Sequence, residues 1–591
     1  MSGLEPSNYN FGEFRIHVGK RCLLRDGLPV GLTPKAFDTL LLLVQNRQRI
    51  VGKDELMRTI WPDTTVEENN LNQNISTLRR ALGENRGKNR YILTISGKGY
   101  RFIADVETSA SLPDSAPAAP TRVTLAVLPF ENLSSDPERE YLADGLTEET
   151  IAALGQIDPQ YLVVIGRTSV MAFKKTSKSL GEISAVLGAT HLVESTLRTE
   201  GDRFRVTSKL IRAQDQVQVW ARSYDSEPVS ILNFQRELST AIAKQIHLRL
   251  SPDCLSALAH RQTSSPEAYD LYLRGRHYWH QLSPPTTKRA IEYFSRATQL
   301  DARYALAWSG LADSYSASPI NGDAPPLLLA PLAREAAARA VDAAPNLAEA
   351  QTSCGFVKFW FDWDWLAAES AFRNAIKLDP NYPMAYRMLG ISLSHLGRRA
   401  EARRAMDRLL ELDPFLAVNQ ALSSQVSFAG RDYPAAVQFA RQAIVVDPEF
   451  WIGWLQLGQA YEQLDENDLA LDALNKAARF SGGNSKAVSL RGYLFAKLGR
   501  SNEAREVLGM LASIARERYV PPYAMAIVHA GLGERRQALD FLERAAESRD
   551  VHLCFPPIDP KWDPFRGDSR FQQLLKRCRL SGGSAGIVAA E

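Results

Sequence analysis

The sequence predicts a multidomain protein in which a small α+β region and an α/β region precede an all-α repeat array. Three observations support this organisation. The chain has 591 residues, several times the length of a usual domain. Residues 111–120, SLPDSAPAAP, carry almost no large apolar side chain and read as a linker. Asp379-Pro380, Asp413-Pro414 and Asp447-Pro448 recur at an interval of 34 residues, which is typical of helical repeats.

Composition and charge favour a folded protein without a cofactor. Hydrophobic residues make up 45% of the chain and charged residues 23%, and the formal net charge is only +3. The five cysteines lie far apart without a CxxC pair, which disfavours a disulfide framework or a structural zinc site. No apolar run approaches the roughly 20 residues that cross a bilayer. We therefore expect a cytoplasmic protein with no membrane contact, no metal and no cofactor.

The first region, residues 8–106, begins with short strands and continues with helices. Alternating apolar residues at 14–18 and 21–24 read as small antiparallel strands. The segment AFDTLLLLVQN (36–46) predicts a helix with a broad apolar face, and KDEL (53–56) begins a second helix. A linker at 107–121 is expected to follow this region.

A third helix and a basic hairpin close the first region. Leu71, Ile75, Leu78 and Leu82 recur at helical spacing and predict one buried stripe. The following segment RGKNRYILTISGKGYRF (86–102) reads as a β-hairpin with Lys98 at its tip. Residues 71–101 hold seven Lys or Arg and one acid, a net charge of +6 that suits a polyanion. The alternative is that the polar face of the third helix is exposed to solvent and binds nothing. Exposure to solvent alone would not require the basic hairpin that follows.

Several segments of the first region resemble the OmpR/PhoB-type winged-helix DNA-binding domain. They are RDG (25–27), LTPKAFDTL (32–40), NISTLRRALG (74–83) and YILTISGKGYRF (91–102). The resemblance implies that the third helix lies in the major groove and that the hairpin, the wing, reaches the minor groove. Thr77 and Ser96 stand where many members of the family carry arginine, so the sequence specificity is not inherited from relatives.

Polar and basic side chains on the third helix and the wing are the candidate DNA-binding residues. Such side chains bond to base edges, and arginines also hold phosphates. The candidates are Asn69, Asn70, Gln73, Asn74, Ser76, Thr77, Arg79, Arg80, Thr94, Ser96, Lys98, Tyr100 and Arg101. A winged helix at the start of the chain is similar to the arrangement of CadC-like regulators, without their membrane span after the linker.

The middle region, residues 122–250, mixes strands and helices and predicts one α/β domain. The phrases LAVLPFENLS, YLADGLTEE and GATHLVESTLR resemble the TolB-N-like module, which implies no particular activity. Asp144, Glu148 and Glu149 share a helix and suit either a catalytic site or the acidic first turn of that helix; we favour the helix turn. A strand is predicted at 162–169, where Arg167-Thr168-Ser169 is either a small-anion site or, as we favour, a polar loop.

The last region, residues 265–580, carries the tetratricopeptide pattern. Its clearest unit has Trp454, Leu457, Gly458 and Tyr461, the W-x-x-L-G-x-x-Y skeleton. About eight helix pairs and a C-terminal capping helix follow from the period, and such an array offers a concave face to peptides or proteins. Pure scaffolding is the alternative. His277 and His280 are spaced to bind a metal, but packing of the first repeat explains them better.

These features favour a non-enzymatic, sequence-specific transcriptional regulator. Its expected partners are double-stranded DNA, proteins on the concave face, RNA polymerase and a second copy of the chain on DNA. The alternative is a repeat-based adaptor or assembly scaffold whose winged helix contacts protein. An enzyme is disfavoured because no nucleophile, base or phosphate-loop constellation is present.

Overall fold

The computed structural model describes most of the chain. The described residues are 8–17, 22–25, 28–30, 32, 34–60, 68–84, 90–95, 97–109, 123–134, 139–158, 161–200, 203–226, 231–246, 263–281 and 283–580. The chain divides into two compact units, residues 1–121 and 122–591. Across these described ranges, no helix is both long enough and apolar enough to cross a membrane.

The first unit combines three helices with an N-terminal antiparallel sheet and a small second sheet. The N-terminal sheet has the order β4-β3-β2-β1-β8 and the second sheet has the order β5-β7-β6. The elements are β1 Asn8–Phe11, β2 Phe14–His17, β3 Cys22–Arg25, β4 Leu28–Val30, α1 Pro34–Gln45, β5 Val51–Gly52, α2 Lys53–Ile60, α3 Glu68–Ala81, β6 Ile92–Ile95, β7 Gly99–Phe102 and β8 Glu107–Ser109.

The core of the first unit joins the helices to both sheets. The predicted stripe of Leu71, Ile75, Leu78 and Leu82 is buried. Strand β8 pairs with β1, so the sheet includes the first three residues of the predicted linker. The rest of that linker, residues 110–121, lies outside the described residues.

The α/β part of the second unit is built on a six-stranded mixed sheet of order β11-β9-β12-β13-β14, with β10 paired to β12. Strands β9, β11 and β12 run parallel, whereas β12, β13 and β14 form an antiparallel meander. The elements are β9 Val123–Val127, β10 Glu131–Asn132, α4 Glu140–Gly155, β11 Leu162–Val164, α5 Arg167–Met171, α6 Leu180–Leu187, β12 His191–Glu200, β13 Arg203–Arg212, β14 Val217–Ser226 and α7 Ile231–Gln245.

The strand predicted at 162–169 is wrong beyond its first residues. Strand β11 ends at Val164, and the short helix α5 begins at Arg167. The backbone N–H of Gly166 donates to the carbonyl oxygen of Leu412 at 2.6 Å. This bond to the repeat array draws the chain away from the sheet, so the residues after the strand turn into a helix.

Sixteen helices form eight helix–turn–helix pairs over residues 266–547, where all residues but 282 are described. A short π-helical segment, Lys358–Asp362, extends α12. The helices are α8 Pro266–Trp279, α9 Pro284–Leu300, α10 Ala305–Gly322, α11 Pro326–Ala343, α12 Ala348–Val357, α13 Trp365–Leu378, α14 Pro383–His395, α15 Arg399–Leu412, α16 Ala417–Ala429, α17 Tyr433–Val446, α18 Trp451–Gln463, α19 Asn467–Phe480, α20 Ser485–Lys497, α21 Ser501–Glu517, α22 Pro522–Gly531 and α23 Arg535–Glu547.

The array coils until its seventh pair touches its second. The hydroxyl of Ser485 donates to Asp323 Oδ1 at 2.7 Å, and both groups are buried. A final helix, α24 Ser569–Arg577, follows the last pair. The indole N–H of Trp365, in the third pair, donates to the carbonyl oxygen of Cys578 at 3.0 Å. The C-terminal segment therefore closes the coil instead of only covering its end.

Candidate nucleic-acid interface and the junction of the second unit

Helix α3 presents a polar face opposite its buried leucines. Ser76 and Thr77 are exposed, and Asn74 is half-buried. The 3.6-residue period that buries Leu71, Ile75 and Leu78 places Ser76 and Thr77 on the other side of the helix. Asn74 lies at the edge of the buried stripe, and its Nδ2 is buried. The side chains of four candidates, Asn69, Asn70, Gln73 and Arg80, lie outside the described residues.

The wing is the tight hairpin between β6 and β7. The N–H of Lys98 donates to the carbonyl oxygen of Ile95 at 3.0 Å, and the Lys98 side chain is exposed at the turn. Gly97 and Gly99 have φ angles of +71° and +149°, which glycine adopts without a steric penalty. The turn therefore presents one cation at its tip. Ser96 lies outside the described residues.

Arg79 ties the polar helix to the wing. Its Nη2 donates to the carbonyl oxygen of Ile92 at 3.0 Å and to the hydroxyl of Thr94 at 2.7 Å. Its Nε lies 3.5 Å from Glu84 Oε2. These contacts place Arg79 between the two elements that would approach DNA, so its substitution would also disturb their alignment.

Glu84 has a structural role that the sequence did not indicate, because it was counted only as the one acid in the net charge of residues 71–101. Its side chain is 2% exposed, and its Oε1 accepts the backbone N–H groups of Arg90 at 2.8 Å and Ile92 at 3.0 Å. It also accepts the N–H of Tyr91. The single acid of the basic segment is therefore turned inward, and its negative charge is withdrawn from the surface.

Tyr100 is the candidate that the structure places in the interior. Its side chain is buried, and its hydroxyl donates to Asn72 Oδ1 at 2.8 Å. The pair joins β7 to α3, and no sequence pattern singled out Asn72. Thr94 and Arg101 are exposed on the wing strands, where Arg101 Nε donates to the carbonyl oxygen of Arg47 at 3.4 Å.

The acidic residues of α4 lie at the junction between the α/β part and the first repeat. Asp144 and Glu149 are each 6% exposed. Glu148 Oε1 accepts Arg276 Nε at 3.0 Å, and Glu149 Oε1 accepts the hydroxyl of Tyr272 at 3.2 Å. Burial alone would raise the pKa of Glu148, but Arg276 and His280 hold that pKa well below its usual range. The sequence favoured the interpretation that these acids form the first turn of a helix. They lie instead in the second and third turns of α4 and contact the repeats.

The two histidines of the first repeat contact these same carboxylates. His280 Nε2 lies 3.0 Å from Glu148 Oε2, and His277 Nδ1 lies 3.4 Å from Asp144 Oδ2. Burial lowers the pKa of His280 to about 4, so this histidine is neutral at pH 7 and its contact is a hydrogen bond. The sequence favoured the interpretation that both histidines only pack within the first repeat. That interpretation is incomplete, because both rings also contact carboxylates of α4. In the part of the chain that the structure describes, no cluster of three or more His, Cys, Asp or Glu is arranged to hold a metal.

The segment Arg167-Thr168-Ser169 binds the array instead of forming a free polar loop. Asp413 Oδ1 accepts the N–H of Ser169 at 3.0 Å and its hydroxyl at 2.5 Å. Asn381 Nδ2 donates to the carbonyl oxygens of Gly155 and Leu162, both at 2.9 Å. The Asp and Asn of two repeat turns thus hold the α/β part against the fourth and fifth helix pairs.

A cavity remains inside this junction. It leaves about 200 Å³ open to the centres of water-sized molecules, and α4, α8, α10 and α14 contribute to its walls. Asp313 lines it and is 4% exposed, and its Oδ1 accepts the hydroxyl of Ser353 at 2.7 Å. Burial raises the pKa of Asp313 to about 7.

Asp313→Asn should remove a pH-dependent loss of stability. Because the carboxyl titrates near 3.8 when unfolded and near 7 when folded, the wild-type fold loses stability as pH rises between these values. We expect Asp313→Asn to gain about 1–3 kcal/mol over the wild type between pH 5 and pH 8. Urea unfolding of both proteins at the two pH values measures this difference. Parallel pH dependence of the two proteins would contradict the assignment.

The concave face of the array is partly occupied by the chain itself. Phe555 packs there with its ring 5.5 Å from that of His395, and Lys486 Nζ lies 3.9 Å from the Phe555 ring centre. Lys561 is buried, with its Nζ 3.5 Å from Glu462 Oε2. The segment 551–565 therefore fills the end of a surface that the sequence predicted to be open to peptides.

Comparison with known families identifies the two outer regions. Residues 27–102 match the family "Transcriptional regulatory protein, C terminal". Residues 364–417 and 425–485 match the tetratricopeptide repeat family. The first unit thus contains an OmpR/PhoB-type winged-helix domain and the helix pairs are tetratricopeptide repeats, which confirms the predicted fold class and resemblance. The TolB-N-like resemblance of the middle region stays a prediction.

Relatives share parts of the chain. Putative adenylate cyclase 3 of Rhizobium meliloti (strain 1021) is 31% identical over 196 residues, 33% of each protein. The transcriptional regulator HilA of Salmonella typhi is 25% identical over 397 residues, 66% of this chain and 68% of HilA. The DNA-binding domain of Escherichia coli CadC is 25% identical, with a TM-score of 0.17, and covers 18% of this chain and all of that domain. The chain thus spans one third of the first relative and about two thirds of the second.

Proposed function

We propose that this chain is a transcriptional regulator that binds double-stranded DNA through its winged helix. In this proposal α3 enters the major groove and the wing reaches the adjacent minor groove. The observation that carries the proposal is the exposed polar face of α3 beside a wing whose tip is Lys98. The family match of residues 27–102 and the regulator among the relatives support it.

Each part of the interface has a distinct proposed task. Asn74 and Thr77, with the other polar candidates of α3, read base edges. Lys98 and Arg101 hold phosphates, which adds affinity without sequence preference. Arg79 positions the wing against α3 through its bonds to Ile92 and Thr94.

The second unit is proposed to control the DNA-binding domain through its partners. Tetratricopeptide arrays present concave surfaces to other molecules, and part of this surface stays open between the α/β part and the segment 551–565. RNA polymerase is one proposed partner. A second copy of the chain on DNA is another, since one winged helix reads only a short site.

A repeat-based adaptor is the second candidate function, and one observation favours it. The α/β part and the array are joined by buried bonds such as Ser169 to Asp413, as a rigid assembly platform requires. The basic segment of the winged helix argues against this candidate, because protein contact does not require a net charge of +6. We do not propose cyclase activity for this chain, because the segment that it shares with the rhizobial relative is only a third of that protein.

Lys98→Ala should weaken binding to specific and random duplex by similar factors. The lysine is exposed at the wing tip and contacts phosphate in this proposal, so its loss should lower the slope of log affinity against log salt by about one. Fluorescence anisotropy across a salt series measures both effects. Arg15→Ala, at an exposed arginine of the N-terminal sheet, is the matched control and should change neither. An unchanged slope for Lys98→Ala would exclude the phosphate contact.

A further inference from the structure

An apolar channel runs along the middle of the concave surface. It leaves about 120 Å³ open to the centres of water-sized molecules. Its walls come from the first helices of successive pairs and include Trp360, Met388, Leu422 and Trp451. Such walls favour an apolar ligand, since each buried CH₂ group contributes roughly 0.8 kcal/mol.

One buried cation in this wall, Arg387, forms no ion pair within 4.0 Å with a described carboxylate. Arg387 is 9% exposed, and its Nε donates to Asn419 Oδ1 at 2.8 Å while Nη1 contacts Met384 Sδ at 3.4 Å. Among the described residues, none offers it a carboxylate oxygen within 4.0 Å. Burial lowers the pKa of Arg387 to about 10, so it stays charged at pH 7. A buried charge without a carboxylate at ion-pair distance is costly, and a bound anion would offset the part of that cost that the more distant Asp413 does not.

The carboxylate of Asp413 attracts Arg387 but offsets only part of the cost of its burial, since the pKa of Arg387 still falls. The carboxylate of Asp413 is bonded to the N–H and hydroxyl of Ser169 in the α/β part. Asn419, which accepts from Arg387, donates its own Nδ2 to the backbone carbonyl oxygen of Asp413 at 2.9 Å. Asn419 thus holds the guanidinium in place, while the carboxylate of Asp413 is hydrogen-bonded to Ser169 and attracts Arg387 from beyond ion-pair distance.

The polar groups of the channel do not suit a peptide backbone. Besides Arg387 and Lys486, the polar side chains of the lining are Asn321, Gln425 and Gln456. Gln456 Nε2 donates to Gln425 Oε1 at 3.3 Å. An extended peptide brings a donor and an acceptor with nearly every residue, and each one left unpaired on burial costs free energy. A ligand with one polar end avoids this penalty.

The two ends of the channel limit the length of its ligand. At one end it shares Trp279, Met384 and Arg387 with the cavity that the α/β part covers. At the other end it shares Gln425, Gln456 and Lys486 with a small pocket that Phe555 lines. A continuous peptide strand would have to displace one of these segments, whereas a short molecule would not.

We propose that this channel binds a small organic anion with an elongated apolar body, with its carboxylate-like head on Arg387. The apolar body lies along Met388, Leu422 and the tryptophans of the channel. This site is independent of the winged helix, so its existence does not depend on DNA binding.

The test compares decanoate with decanol on the full-length wild-type protein, by calorimetry and by tryptophan fluorescence. The two probes share an apolar chain and differ in the charged head. We expect one decanoate per chain and about 10- to 100-fold weaker binding of decanol, the range for a lost charged hydrogen bond. This comparison needs no variant, so it does not depend on whether a substitution folds.

The variant Arg387→Met tests whether the charged head of decanoate binds at Arg387. Its affinity for decanoate should fall to that of decanol, while its affinity for decanol should stay unchanged. Arg404→Met, at an exposed arginine of α15, is the matched control and should bind decanoate like the wild type. Equal affinity of the wild type for the two probes would overturn the proposal. So would full decanoate binding by Arg387→Met, or displacement of decanoate by a pool of unstructured decapeptides, which would mark a peptide site.

Discussion

Gly99→Ala is expected to weaken DNA binding at least tenfold by disrupting the base of the wing. A Cβ at this position would lie 2.1 Å from the carbonyl oxygen of Val51 and 3.0 Å from Gly52 Cα. Both are backbone atoms of β5, which pairs with β7 in the second sheet, so the clash has to separate the two strands. The φ of +149° at Gly99 adds strain for any side chain. We expect a loss of about 2–4 kcal/mol in stability of the first unit, and at least tenfold weaker binding to duplex DNA, measured by thermal unfolding and anisotropy.

Gly97→Ala is the control for this prediction. Its φ is also positive, at +71°, but a Cβ there meets no atom within 4 Å. We therefore expect only the left-handed backbone cost of about 1–2 kcal/mol. If both variants bound DNA equally well, the pairing of β5 with β7 would not be what supports the wing.

Trp562→Ala is expected to cause the largest loss of stability in the second unit. The indole is fully buried, stacks on Phe571 at 6.1 Å, and donates from Nε1 to the hydroxyl of Tyr523 at 3.0 Å. Replacing a large buried aromatic side chain by Ala costs about 3–5 kcal/mol. Because Trp562 anchors the segment 551–565, its loss should also expose the end of the concave face. Urea unfolding followed by far-UV circular dichroism gives the difference in free energy of unfolding.

Trp454→Ala is the control for Trp562→Ala. It shows how much stability is lost when a tryptophan that does not anchor the segment 551–565 is removed. Trp454 is half-buried and donates from Nε1 to the carbonyl oxygen of Pro448 at 2.8 Å. We expect a cost of about 1–2 kcal/mol, since less apolar surface is removed from a less enclosed site. A comparable cost for both variants would show that the C-terminal segment adds no more than an ordinary repeat residue does.

Local patterns predicted the elements that depend on local sequence. The stripe of Leu71, Ile75, Leu78 and Leu82 fixed which face of α3 is polar, since helical period and burial are coupled. The repeat period likewise predicted the helix pairs. The wing turn followed from Gly97 and Gly99, whose positive φ angles the hairpin uses.

The junction between the α/β part and the repeats was not predictable in the same way. Ser169 and Asp413 are 244 positions apart in the chain, and nothing in either segment specifies the other. Asp413 belongs to the Asp-Pro signature of the repeats, which accounts for its presence in the sequence. Nothing in the sequence therefore indicates that it also binds Ser169 of α5. The same holds for Trp365 and Cys578, which join the third pair to the cap. The self-occupied concave face results from these distant contacts.

The most direct test of the central claim is fluorescence anisotropy of the full chain and of residues 1–121, across a salt series. The DNA would be random duplex and fragments selected from the protein's own genome. The proposed function predicts tight, steeply salt-dependent binding that prefers particular fragments. Binding by residues 1–121 alone would mean that the second unit masks the winged helix. Absence of binding by both proteins at low salt would contradict the claim and favour the adaptor.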